Sequence, residues 1–252
     1  MGVGEPDPAE DLRLLRLHIA SMFALSPTGR ILRESEPDNS PGPRLFFAGC
    51  AGGNLVRARH DVSDRTVLDA VALTEAEPPW RDPDILPDCL DGLVALMSRD
   101  AAAEAATPAL IYRLPNGLAY DSGATIVRSD RAEGARLLAR LTGQGMPPHL
   151  VQAGFVGLDD FWEPWCAAME GREIAALAFA ARIGAGAMDV GVYTFPGFRG
   201  RGLAAAVTAA WSFLPGVAKH TLFYSHLATN LSSGRVAARL GLRRIGVSVR
   251  IG

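Results

Sequence analysis

Lysine is almost missing from this chain of 252 residues: of 25 basic side chains only Lys219 is a lysine, a skew towards arginine that reflects a GC-rich gene rather than chemistry. Cysteine is scarce too. Cys50, Cys89 and Cys166 are odd in number, far apart and without a CxxC pair. That excludes a disulfide framework and a cysteine zinc site, and leaves buried free thiols as the expectation. No apolar run approaches the roughly 18 residues of a membrane span, and the opening MGVGEPDPAED is acidic where a secretory signal is basic and then apolar. A soluble, cytoplasmic protein without a membrane partner is expected. His18, His60, His149 and His220 are scattered without ligand spacing, so no metal is expected.

Carboxylates also run out. Asp189 is the last acidic residue, and the stretch after it carries Arg199, Arg201, Lys219, Arg235, Arg239, Arg243, Arg244 and Arg250. The overall charge of −2 therefore hides an acidic first part and a basic C-terminal quarter, a region suited to a negatively charged neighbour. There is no aromatic-interleaved basic groove, so nucleic acid is not expected and a small polyanion fits better.

What is present is ample apolar content, 48% of residues, for one large domain or two modest ones. Leu12, Leu15, Ile19 and Met22 mark a first helix, and RLFFAGC followed by AGGNLVRAR reads as two strands joined by a Gly-Gly turn. Ser63 can cap a helix stapled by Val62 and Val67, and Leu90, Leu93, Val94 and Met97 mark another. ESEPDNSPGP and TEAEPPWRDPD read as loops, and LPNG at 114–117 as a boundary between units 1–115 and 116–252. In the second unit LAYDSGATIV is expected as a strand and DRAEGARLLARL as a helix with Asp130 and Glu133 in a capping box. PWCAAME, EIAALAFAARI and AMDVGVYTF follow as a meander. A helix over 201–213, the strand HTLFYSHL, a helix over 231–240 and the strand LRRIGVSVRI complete a mixed sheet covered by helices.

Within FPGFRGRGLAAAVTAAW, Leu203, Val207, Trp211 and Leu214 draw one apolar helical stripe behind a turn of glycines and arginines. A glycine-rich turn opening a helix leaves backbone N–H groups unpaired beside the positive end of the helix dipole, which suits phosphate. Gly200 and Gly202 let the main chain approach a ligand, and Arg199 and Arg201 can pair with phosphate oxygens. Gly200-x-Gly202-x-x-Ala205 also matches the dinucleotide pattern GxGxxA, but the acidic residue that pattern needs about 20 positions on is lacking. A nicotinamide or flavin site is disfavoured on that ground.

The strand GVYT, then Pro196, then Arg199-Gly200-Arg201-Gly202-Leu203-Ala204, resembles the acyl-CoA signature of the GNAT superfamily of N-acetyltransferases. Downstream, YSHLATNLSSGRVAARLGL is similar to a second motif of that superfamily. The resemblance covers roughly residues 116–252; the N-terminal half resembles the accessory region of a longer bacterial subgroup only faintly. It implies an α+β fold with a mixed, mostly antiparallel central sheet flanked by helices, and acetyl-CoA as co-substrate. The pantetheine arm would lie along Val192, Tyr193 and Thr194 in a gap between splayed strands. The diphosphate would sit on the N–H groups of residues 199–204, Leu203 and Ala204 among them. Asn230 and Ser233 match positions near the pantetheine arm or acyl end; Asn230 can equally be a helix N-cap.

Acyl transfer needs a neutral amine, a polarised thioester oxygen and a proton for the thiolate. Asp189 is the carboxylate on the candidate strand, a base or else a salt-bridged acid, on the face opposite Met188, Val190 and Val192. Tyr224 and His226 lie on the strand across the gap and are read as pointing to opposite faces, so at most one of them is expected to reach the site. The stretch Val236-Ala237-Ala238 lacks the tyrosine acid that many members of the superfamily place on the last helix. The acceptor is expected to be a small-molecule or peptide amine, with a non-catalytic acyl-CoA-binding protein as the alternative. The N-terminal half can cap the acceptor cleft, form a homodimer surface, or do neither. The four tryptophans are expected to be packing residues.

Overall fold

Residues 7–99 and 101–252 are described by the structure, a computed structural model. Helix α1 (Pro8–Met22) opens at an N-cap, where the Asp7 carboxylate accepts from Ala9 N, and carries the expected apolar stripe. A small hairpin, β1 (Phe23–Leu25) and β2 (Ile31–Glu34), leads to β3 (Leu45–Cys50) and β4 (Gly53–Ala58), joined across the expected Gly-rich turn. Helix α2 (Asp64–Ala76) begins where the Ser63 hydroxyl accepts from Thr66 N, and α3 (Leu90–Met97) follows. Val62 and Val67 pack into the same cluster, as a hydrophobic staple requires.

Next come β5 (Ala109–Leu114), β6 (Thr125–Arg128), α4 (Ala132–Gln144) and the single turn α5 (Pro148–Val151). The meander is β7 (Cys166–Glu170), β8 (Glu173–Ile183) and β9 (Ala187–Thr194). Helix α6 (Leu203–Trp211), β10 (Thr221–Leu227), α7 (Leu231–Arg239) and β11 (Arg243–Ile251) close the chain. One sheet of nine strands, in the order β4-β3-β11-β5-β10-β9-β8-β7-β6, holds everything but β1 and β2. Every neighbouring pair in it is antiparallel except β9 and β10. The two units expected on either side of residues 114–117 share this sheet, because β5 lies between β10 and β11.

Three sequence expectations need correction. Of LAYDSGATIV only the end is strand, because Asp121 and Ser122 turn the chain by accepting from Gly123 N and Ala124 N, and Gly123 is left-handed at φ +62°. The capping box at Asp130 and Glu133 does not form: Arg131 holds the N-cap, and the Asp130 carboxylate is taken by Arg128. Helix α6 is also shorter than 201–213, since left-handed Gly202 stands at its N-cap.

Alternation along the strands gives the sheet two faces. On one, α1 covers Phe46, Ile111, Ala187 and Phe223, while α4 and α5 cover Ala167, Ile174 and Leu177. On the other, α2 and α3 cover Phe47, Val247 and Val249, while α6 and α7 cover Ala178, Val190, Leu222 and Tyr224. Three tryptophans, Trp80, Trp165 and Trp211, are buried packing residues, whereas Trp162 is half-buried.

Cys50, Cys89 and Cys166 are free and buried. Burial pushes all three thiols upward, Cys89 and Cys166 to about 12. At a pH of about 8 the reactive thiolate is therefore scarce. Native protein is expected to react with a chromogenic disulfide reagent at least about a hundredfold more slowly than unfolded protein, in which all three thiols should titrate promptly.

Candidate functional site

The parallel seam closes only briefly. β9 and β10 pair at Ala187 with Thr221, Met188 with Leu222 and Asp189 with Phe223, and no further. Beyond that point β9 follows β8 as far as the Ala176 to Thr194 pair, while β10 follows β5 from Leu114 to Ala109. Each strand keeps its outer neighbour, so the two part. The β9 edge over residues 190–194 is left without a strand partner, and its backbone groups face the gap.

A cavity of about 430 Å³ fills this gap on the α6 and α7 face. Val192, Tyr193 and Thr194 form one wall, Gly200, Gly202, Leu203 and Ala204 the mouth, and Tyr224, Asn230 and Ser233 the other side. Three cations line it, Arg199, Arg235 and Arg239, and no carboxylate does among the described residues. Gly200 and Gly202 are left-handed, with φ of +80° and +79°, a conformation glycine adopts without strain. A Cβ on Gly202 would lie 2.7 Å from Arg239 Nη1 and 3.4 Å from the Tyr120 hydroxyl. The N–H groups of residues 200–205 find no acceptor among the described residues, and the Thr194 hydroxyl is buried without a partner there. Unsatisfied donors at a helix N-terminus among guanidinium groups suit an anion with several oxygens. The residues present thus fit the diphosphate and amide-rich arm of coenzyme A.

Arg201 is the exception. It does not line the cavity but pairs with Glu170 at 3.4 Å and lies over the Phe198 ring. Sequence reasoning missed Ser232, Arg235, Val236 and Arg239 as lining residues. The four-residue spacing of Arg235 and Arg239, one turn apart on the helix that Asn230 starts, was the available signal. Asn230 is the N-cap of α7, its Oδ1 accepting from Ser233 N at 3.1 Å. The charge asymmetry also has an internal cause, since Arg243 pairs with Asp11 and Arg250 with Glu34. Acids of the first part thereby neutralise part of the basic last quarter.

Tyr224 and His226 do not point to opposite faces. They stand two residues apart on one strand, and their rings lie 6.0 Å from each other. Tyr224 lines the cavity, and its hydroxyl donates to Ser233 O at 3.3 Å. Burial pushes its phenol up to about 12, so it stays protonated across the neutral range. His226 lies behind it, stacked on Tyr112 and outside the cavity lining, with Nε2 buried and unpartnered among the described residues.

Asp189 occupies the last paired position before the strands part and faces α1. It is 3% exposed, with Oδ2 3.2 Å from His18 Nε2 and accepting from Ser225 Oγ at 2.5 Å, while Oδ1 has no partner among the described residues. His18, from the far end of the sequence, is the residue here that no local pattern announces.

No protein-family model and no curated protein matches the chain. Among solved structures it is similar to a GNAT-family putative acetyltransferase from Novosphingobium aromaticivorans, at 21% identity over 59% of this chain and 66% of that one, with a TM-score of 0.39. A GCN5-related N-acetyltransferase from Kribbella flavida aligns at 17% identity over 66% of this chain and 63% of that one, with a TM-score of 0.42. This chain thus spans less than two thirds of the length of either protein. A GCN5-related N-acetyltransferase-like protein from Streptococcus suis aligns along nearly its whole length, covering 97% of this chain and 99% of that one, at 16% identity and a TM-score of 0.45. All three are distant likenesses in outline.

The turn can be tested by itself. Gly202→Ala forces an L side chain into left-handed backbone and is expected to cost roughly 1–2 kcal/mol in urea unfolding. Gly197→Ala, three residues before the left-handed Gly200 and with open space around it, should stay within about 0.5 kcal/mol of the parent.

Proposed function

We propose that the chain is an acetyl-CoA-dependent N-acetyltransferase of the GNAT superfamily, transferring an acetyl group to a primary amine within a ternary complex. The observation that carries this reading is the parting of β9 from β10 over a cavity whose mouth is the glycine-arginine turn of α6. Residues 200–205 and Arg199, Arg235 and Arg239 would hold the diphosphate, and the free edge of β9 would bond the pantetheine arm. Acetyl-CoA, when bound, supplies an activated acetyl carbon, at which the N–C bond forms as the C–S bond breaks and its electron pair leaves on sulfur.

The chain's own groups handle the protons and the charge. A β9 N–H beyond Asp189, free of a strand partner, would stabilise charge on the carbonyl oxygen. Tyr224 O–H, neutral and inside the cavity, is the group that gives a proton to the departing sulfur. Because a thiol ionises near about pH 8.5, that proton accelerates the step without being obligatory. Asp189 stands on the opposite face at the apex of the gap, buried against His18 and Ser225, and is the carboxylate at the parting of the strands that would take the proton of the amine. Donor and acceptor would then enter from opposite faces of one sheet.

A thermal melt with acetyl-CoA, coenzyme A and NAD side by side tests the cofactor, because a ligand of the native state alone must raise the midpoint. At about 100-fold over Kd either CoA species should raise it by on the order of 5–10 °C, and NAD should not. Arg199→Glu with Gly202→Glu should abolish that response while circular dichroism stays unchanged; an undiminished shift would refute the cradle. In a thiol-release assay Tyr224→Phe should lower kcat by on the order of 10- to 100-fold with little change in KM for acetyl-CoA. Asp189→Asn should lower kcat more, again with little change in KM for acetyl-CoA. A response to acetyl-CoA with no thiol release from any amine would mean a binding protein instead.

A further inference from the structure

His18 is buried near the C-terminal end of α1 and takes no part in the proton steps given to Tyr224 and Asp189. Its ring meets Phe223 edge-on, with centroids 5.1 Å apart, and its Nε2 lies 3.2 Å from Asp189 Oδ2. The backbone behind it is fixed on two sides. Ser21 Oγ donates to His18 O at 2.7 Å. Gly184, in the turn between β8 and β9, lies so close to the helix that a Cβ there would run into Ala20 O and sit 2.7 Å from Ser21 Cα. Leu14, Leu15 and Ile19 of the same helix pack with Ala187 of β9 and Phe223 of β10. Helix α1 is thus seated on both strands where they still pair, and it presents His18 to Asp189 from a rigid base.

Stability does not explain this pair. Its neighbours on α1 show that apolar side chains are what the helix buries against this face. Asp189 Oδ1 and His18 Nδ1 are both buried without a partner among the described residues, and a buried polar atom left unpaired costs more than an ordinary hydrogen bond returns. An apolar pair of similar volume is often as stable or more so. What the pair provides is orientation. An ionised carboxylate can only accept, so the hydrogen of this bond stands on His18 Nε2. Asp189 Oδ2 then takes two donors, His18 Nε2–H from α1 and Ser225 O–H from β10. Phe223 is the last residue of β10 whose backbone pairs with β9, so the Ser225 bond ties the two strands by side chains just past their parting. Two donors on one oxygen, from two different elements, fix how the carboxylate stands relative to both strands. A proton-accepting group that is itself oriented by a third group is the general arrangement of an activated site.

Resting on the acetyltransferase reading and on Asp189 as its base, we propose that His18 is a positioning residue, which together with Ser225 holds the Asp189 carboxylate in the orientation that takes the amine proton. No chemical step is added, and His18 acts only through Asp189. The N-terminal helix is then part of the transfer machinery.

Thiol release from acetyl-CoA is followed with ethanolamine, phenethylamine and lysine, and kinetics are taken on whichever the parent turns over fastest. His18→Leu should lower kcat by about tenfold or more, with KM for acetyl-CoA within about twofold of the parent. His18→Gln, whose amide N–H can reach Oδ2, should recover kcat to within about threefold of the parent. In an Asp189→Asn background His18→Leu should change kcat by less than about twofold. A merely structural histidine predicts the reverse, with Gln no better than Leu and with losses that multiply. Either of those results, or an undiminished kcat in His18→Leu, overturns the proposal. A readout independent of turnover and of the Leu variant's folding comes from nitrogen–proton correlation spectra of the parent labelled with nitrogen-15 histidine, assigned by His18→Gln. The hydrogen should be found on Nε2 of His18, and a bare Nε2 overturns the proposal. Full activity in Asp189→Asn would remove the base, and this role with it, while the acetyl-CoA melt still upholds the transferase reading; a parent that ignores acetyl-CoA overturns that reading itself.

Discussion

After Asp189 and Phe223 two neighbouring strands stop pairing, and most of what this molecule can do follows from that. A sheet normally satisfies every interior backbone group, since an unpaired one costs about as much as a lost hydrogen bond. Here the β9 edge over residues 190–194 goes unpaired in the middle of nine strands. The opening is held by what lies outside it: β8 keeps β9, β5 keeps β10, and α6 with Leu203, Val207 and Trp211 fills one face below. The gap is thus a property of the whole sheet rather than of a flexible loop.

Two faces give two chemistries. The α6 and α7 face presents unpaired N–H groups and guanidinium groups, a setting for negative charge. The opposite face presents Asp189, Asp159 and Glu163 among aromatic rings, a setting for positive charge. The sheet separates the two sets of charges, and of these acids Asp189 is the one at the strand gap. The buried contact of Asp189 with His18 and Ser225 ties α1 to this point, so that the N-terminal helix is part of the same structure.

Much of the site was legible locally. The turn Arg199 to Gly202 reads as an anion cradle because glycine conformation and helix polarity are short-range matters, and the stripe of α6 and the cap at Asn230 are equally local. Errors came where a nearby competitor or a distant partner decided. Asp130 gave up its cap to Arg128, Asp121 and Ser122 turned the chain where a strand was expected, and Arg201 turned away to Glu170. The opposite-face assignment of Tyr224 and His226 contradicted the two-residue period of the strand itself.

By itself the sequence determined the order of the elements, the meander, the phosphate-ready mouth of α6 and the charge imbalance, because each depends on periodicity, caps and composition within a few residues. Only the tertiary structure decided that β5 would enter the sheet between β10 and β11, that Arg235 and Arg239 would join Arg199, and that His18 would reach Asp189. These are contacts between residues far apart along the chain, and no local propensity encodes which distant face a strand or helix will meet.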